Sequence, residues 1–164
     1  MKTTGSKTPF SGTKDVTLIV LELDGRPFAL PVDHVNEVLR MVAITPLPDA
    51  PEWVAGAVNV RGDVVPVIDL RTRLGLQRRT YRLDTPIFVV TVFGRRMGVV
   101  PDAAVEVVEL PAASLDDPDE LIGPDHPIAH LARVGARVIP VLVLERICDG
   151  AQSLALPQDD FSAA

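Results

Sequence analysis

The feature that most constrains this chain is an internal echo. Gly25-Arg26-Pro27-Phe28-Ala29-Leu30-Pro31-Val32-Asp33-His34-Val35-Asn36-Glu37-Val38 returns as Gly94-Arg95-Arg96-Met97-Gly98-Val99-Val100-Pro101-Asp102-Ala103-Ala104-Val105-Glu106-Val107, at a constant offset of 69 (25 to 94, 33 to 102, 37 to 106). Val65-Pro66-Val67-Ile68-Asp69-Leu70 returns as Ile139-Pro140-Val141-Leu142-Val143-Leu144, at an offset of 74 (66 to 140). The five-residue difference between the two offsets is loop. The 164 residues therefore read as two copies of one small β unit, strand–hairpin–strand–hairpin, each ending in a helical turn. A unit of roughly 65 residues buries only about 60% of its unfolded surface, which is marginal alone. The copies must share one hydrophobic interface, and the seam between them, near 80–90, is a natural groove.

The strands can be placed along the chain. Val16–Leu23 and Arg26–Leu30 flank the turn pair Asp24-Gly25, Pro31–His34 breaks the pairing, and Val35–Val42 is extended again. Ile44–Trp53, with prolines at 46, 48 and 51, is a surface loop. Ala57–Val60 and Val64–Ile68 then flank the tip Arg61-Gly62-Asp63, a hairpin signature. Pro66 cannot donate to a ladder, so its strand is an edge or carries a bulge there. Asp69 caps a helical turn, Leu70–Leu74, closed by Gly75. Gln77–Thr85 is connective. Pro86–Phe93 and Met97–Val100 form a hairpin around Gly94-Arg95-Arg96, and Val105–Leu110 is extended. Pro111–Pro127 is an acidic, proline-bearing loop. Ile128–Val134 and Arg137–Leu144 make the last hairpin, before a short helix to Cys148. Residues 1–15 are expected to be disordered, 16–149 to form the folded unit, and 150–164 to be a flexible tail.

Composition excludes several functions. A net charge of −6 and a pI near 5.0, with 4% aromatic residues, give neither the basic stripe nor the stacking platform that nucleic acids require. The core is aliphatic and valine-rich, which favours pleated sheet. Cys148 stands alone, so neither a disulfide nor a cysteine zinc site can form; it is a buried small hydrophobe or a redox sensor. No apolar run is long enough to span a membrane, and the expected location is the cytoplasm. His126 and His130 are separated by Pro127 and make a poor metal pair, so no metal and no cofactor is expected. Phosphate-loop and nucleophile-turn motifs are absent, and the carboxylates are scattered. The chain is not expected to be an enzyme. Arg61-Gly62-Asp63 matches an adhesion tripeptide, but a cytoplasmic chain meets no integrin.

Gly56-Ala-Val-Asn59-Val-Arg61-Gly62-Asp-Val-Val-Pro66-Val-Ile-Asp69-Leu70-Arg71 resembles the Gly-x-x-Asn-x-Arg-Gly-x-x-x-Pro-x-x-Asp-Leu motif of the CheW family of chemotaxis coupling proteins. The upstream run Phe28–Val38 and the downstream runs Ala129–Gly135 and Leu142–Ile147 fit the same family, so the resemblance spans about Val16 to Cys148. It implies an all-β fold of two intertwined, five-stranded SH3-like barrels sharing a hydrophobic core, with short helical turns. It also implies a non-catalytic adaptor between the regulatory domain of a CheA-type histidine kinase and the cytoplasmic hairpin tip of a methyl-accepting chemoreceptor, at membrane-associated arrays. Other CheW-like domains, in rings, are further implied partners. The receptor-facing residues it implies are Val35, Glu37, Gly56, Asn59, Arg61, Gly62, Ile87 and Phe88, and Val64 falls on a kinase surface. His130 departs from the family, which tends to have glycine there.

Five of these residues have a structural alternative. Gly56 leaves room for a partner helix or serves a bulge needed for folding. Arg61 offers its planar fork to a partner or pairs internally with Glu37. Val35, Ile87 and Phe88 touch a receptor helix or pack the core. Two rival functions remain beside the coupling role: a competitor or specialised adaptor that binds one partner, and a small enzymatic or ligand-binding barrel.

Overall fold

A computed structural model describes residues 14–118, 125–154 and 156. The disorder expected for 1–15 lies outside the described residues except at Lys14 and Asp15, and Asp15 already opens the first strand. Among the described residues there are β1 (Asp15–Leu23), β2 (Arg26–Pro31), β3 (Val35–Arg40), β4 (Val54–Val60), β5 (Asp63–Asp69) and α1 (Leu70–Arg73) in the first copy. The second copy has β6 (Pro86–Val92), β7 (Arg95–Val100), β8 (Ala103–Pro111), β9 (Leu115–Asp116), β10 (Ile128–Val134), β11 (Arg137–Leu142) and α2 (Leu144–Ile147).

The two copies exchange hairpins. One sheet runs β8-β1-β2-β11-β10-β9 and the other β3-β6-β7-β5-β4, so each copy's first hairpin sits among the later strands of its twin. The joints are matching parallel pairs, Ala29 with Val141 and Val67 with Gly98. These four residues are related by the two offsets read from the sequence, 29 to 98 and 67 to 141. Closure repeats as well. Thr45 bridges Ala57 in one barrel, and the two-residue β9 pairs with Leu131 and Ala132 in the other. The sixth strand, where five are expected, is thus the longer version of a bridge that both barrels possess.

Three local expectations change. β5 is internal, between β4 and β7, and its register is continuous at Pro66. Ala57 exchanges both backbone hydrogen bonds with Thr45, so it and its opposite residue Pro66 point their backbone polar groups away from each other. Pro66 then faces β7, where pairing begins only at Val67, and no donor is missed. The β6–β7 turn is Phe93-Gly94 rather than Gly94-Arg95-Arg96; both residues have positive φ (56° and 71°), the type I′ geometry that matches strand twist. The Pro111–Pro127 segment is not all loop, because it holds a 3-10 turn, Ala112–Ser114, and β9; residues 119–124 lie outside the described set.

The core follows from strands buried on both faces. Leu18, Ala29, Ile139 and Val141 fill one barrel, while Ile87, Val65, Val67 and Val100 fill the other. Their alternates on the same strands, among them Ile19, Leu21, Leu30, Ile68, Phe88, Val90, Met97, Val99 and Leu142, meet in one cluster between the barrels. Period-2 alternation thus serves two cores at once. Cys148 and Ala151 are fully buried in the shared cluster and Leu154 packs against it, so the described start of 150–164 is docked on the body.

Candidate functional site

The β4–β5 hairpin tip is built by its own side chains. Asn59 Oδ1 accepts from the Gly62 backbone N–H at 2.9 Å, bracing a turn in which Arg61 and Gly62 both have positive φ (52° and 89°). Left-handed backbone costs an arginine energy that glycine avoids, and the Asn59 bond offsets part of it. Arg61 Nη1 donates to Glu37 Oε2 at 2.5 Å. Its side chain stays 71% exposed while that of Glu37 is 20% exposed. Arg61 therefore pairs inside the protein and still presents its fork to solvent.

Gly56 is buried, with φ 147° at a register shift between Val54 and Gly56. A Cβ there would lie 2.2 Å from the Thr45 carbonyl oxygen, which is backbone and cannot yield. The Thr45–Ala57 bridge, with Ile44 beside it, accounts for this glycine without any partner. Val35 is half-buried and packs against the shared core. Ile87 and Phe88 are fully buried, and Val64 is buried at 8% exposure. Ile87 and Phe88 pack the core, because β6 is an inner strand covered on both faces, and Val64, expected on a kinase surface, is the second residue of β5 and is buried with the rest of that strand after Asp63. The structure brings together Glu37, Asn59, Arg61 and Gly62 at one tip, with Val35 on the same strand as Glu37, and leaves Gly56, Val64, Ile87 and Phe88 beneath the surface.

Sequence reasoning passed over the charges that lock the two barrels together. Arg71, 6% exposed, donates to Gln77 O (2.6 Å), Asp102 Oδ2 (2.7 Å) and Asp24 Oδ1 (3.2 Å). Asp24 turns β1 into β2 and Asp102 follows β7, so one guanidinium joins both barrels. Buried Asp69 caps α1 through Thr72 N at 3.0 Å and accepts from the Tyr81 hydroxyl at 2.5 Å. Burial, then the bond to Asp69, pushes the Tyr81 phenol far above its usual range. Arg73 lies 4.6 Å over the Trp53 ring and donates to the Arg146 and Ile147 carbonyls at the end of α2.

The seam has two unlike sides. Around Arg71 it narrows to a cavity of about 90 Å³ lined by this ion network, with Asp69, Arg71, Tyr81 and Asp102 in its wall. Where α2 replaces α1, a cleft of about 320 Å³ opens, lined by Pro31, His34, His130 and residues 141–146. His130 follows a register shift equivalent to the one at Gly56 (56 to 130, the 74-residue offset), but here the position accepts a side chain. Burial, followed by the nearby Glu145 charge, pushes the Cys148 thiol up to about 12, which marks it as an inert packing group. No cluster of three or more metal-ligating side chains occurs among the described residues, and His126 spends Nδ1 on the Ile128 N–H. No helix there is long and apolar enough to cross a membrane. The arrangement at the β4–β5 tip is suited to docking charged groups.

The fold is thus a pair of interlocked barrels with an arginine-bearing hairpin tip. Residues 17–152 match the CheW-like domain family model. The chain is 26% identical over 121 residues to the chemotaxis protein CheW of Helicobacter pylori, covering 73% of each chain. It is 33% identical over 105 residues to protein FrzA of Myxococcus xanthus, covering 64% of each. The crystal structure of scaffolding protein TtCheW from Thermoanaerobacter tengcongensis superposes with a TM-score of 0.77 at 28% identity, covering 83% of this chain and 94% of that one. The chain belongs to the CheW-like family, and its fold is that family's pair of SH3-like barrels. It is a non-catalytic scaffold of chemotaxis signalling.

Proposed function

We propose that this protein couples the regulatory domain of a CheA-type histidine kinase to the cytoplasmic hairpin tip of a methyl-accepting chemoreceptor, in the cytoplasm at membrane-associated arrays. The observation that carries the receptor half is Arg61, 71% exposed at a braced hairpin tip and only 2.5 Å from its internal partner Glu37. A guanidinium so placed can exchange one carboxylate for another on a docking helix without new ordering of the loop. The opposite charges at the tip favour register and encounter rate more than raw affinity. The rigid seam then carries relative geometry from one partner to the other as a population shift.

A ternary-complex experiment tests this reading. Purified protein, kinase regulatory domain and a receptor cytoplasmic fragment are run together by analytical ultracentrifugation. The reading expects a species containing all three. Mutually exclusive binding would assign the protein to the single-partner class of adaptors instead.

A further inference from the structure

Glu37 faces two arginines, not one. Arg61 bonds it at 2.5 Å, and Arg96 Nη1 on β7 stands 3.9 Å from the same oxygen. Arg96 is anchored independently: its Nη2 donates to the Val60 carbonyl at 3.2 Å and to the Asp63 carboxylate. Its side chain is 27% exposed against 71% for Arg61. The second barrel provides an internal control. Glu106, the repeat counterpart of Glu37 (37 to 106), pairs at 3.0 Å with Arg137, which stands where the first barrel has Asp63 (63 to 137), while the counterpart of Arg61 is Gly135 (61 to 135). The position that corresponds to Arg96 there is Pro27 (27 to 96, the 69-residue offset), which carries no charge. Neither Arg61 nor Arg96 has an arginine counterpart in the second barrel, so the two-arginine arrangement around Glu37 is not required by the barrel architecture.

We propose that Arg96 is a positioning residue that holds Glu37 and so releases Arg61 to a carboxylate on a docking helix. This inference rests on the proposed receptor contact for the identity of that helix. A carboxylate left without a cation at a closing interface is costly, and that cost would keep Arg61 on Glu37. With Arg96 within ion-pair reach, Glu37 keeps a counter-charge while Arg61 changes partner. Asp63 stays paired with Arg96 throughout, and the four charges, Glu37, Asp63, Arg61 and Arg96, sum to zero before exchange.

The test uses the full chain and three substitutions, Arg96→Gln, Arg96→Lys and Glu37→Gln combined with Arg96→Gln. Nitrogen-15 NMR of the guanidinium groups needs no partner. The expected result is that rotation of the Arg61 guanidinium slows in Arg96→Gln, because Arg61 becomes the sole cation on Glu37, and that Arg96→Lys leaves it near the wild type. Unchanged Arg61 rotation in Arg96→Gln would overturn the proposal. Affinity for a receptor-tip fragment gives the second readout. Arg96→Gln is expected to weaken it about tenfold, and adding Glu37→Gln to recover most of that loss. A merely structural Arg96 would show no recovery, which also overturns the proposal. If the wild-type chain fails to bind the fragment, the receptor reading fails, and the NMR result still decides what Arg96 does to Arg61.

Discussion

Gly56 and Arg61, five residues apart, play opposite parts. At Gly56 the Thr45 carbonyl leaves no room for a methyl group, so Gly56→Ala is expected to destabilise the fold by about 2–4 kcal/mol in urea titrations. Receptor affinity of the molecules that remain folded should be unchanged. Arg61→Ala should do the reverse, costing roughly 2 kcal/mol, about 30-fold, in receptor affinity. The same variant should shift the melting temperature little, since exposed ion pairs add about 0–1 kcal/mol. Loss of folding without selective loss of binding would assign Arg61 a structural role. Cys148 gives a third residue-scale prediction. The fold prefers the neutral thiol, so its contribution is complete below the unfolded value of 9.0 and is lost as pH rises from there to about 12. A thiol reagent at pH 8 should therefore leave native Cys148 unmodified and label it only after denaturant is added; rapid native labelling would contradict its burial. The Glu37–Arg61 pair was open to the sequence as one of two readings. Arg96 was not, because the repeat sets it against Pro27 and so gives no pattern to read.

At the scale of elements, hairpins and their polar clamps share the work. Strand positions were legible because valine-rich runs end at glycine-bearing turns, as at Asp24-Gly25 and Gly135-Ala136. The Phe93-Gly94 turn was harder to read, since a phenylalanine at positive φ gives no composition signal. Pro66 misled for a related reason: a missing N–H forbids a central strand only where a neighbour needs that donor, and here pairing starts one residue later. The Arg71 clamp could not be read at all, because Asp24 and Asp102 approach it from distant stretches of chain. Arg71→Ala leaves those carboxylates, which are 42% and 21% exposed, without their buried partner. The expected loss is about 2–3 kcal/mol, below the figure for fully buried pairs because water reaches both acids. Chemical denaturation measures it, and a loss within about 0.5 kcal/mol of zero would show that the clamp is incidental.

At the scale of the molecule, duplication was visible but exchange was not. The two offsets are compatible with barrels side by side or with swapped hairpins, and only the cross-copy pairs Ala29–Val141 and Val67–Gly98 decide between them. Interlocking has a consequence. The first copy alone would leave β1 and β2 without β8 and β11, exposing the faces that carry Leu18, Leu21 and Leu30. A fragment ending near residue 80 should therefore stay unfolded by circular dichroism and gain strand signal when the remaining half is added. A body so joined moves as one, as the proposed coupling role requires.

The central claim is that this body acts by bridging. The most direct measurement is autophosphorylation of a CheA-type kinase with receptor fragment and this protein, each present or omitted. The account predicts that receptor control of the kinase appears only when all three are together, and that Arg61→Ala abolishes it while the kinase keeps its basal rate. Full receptor control without this protein, or control undiminished by Arg61→Ala, would contradict it.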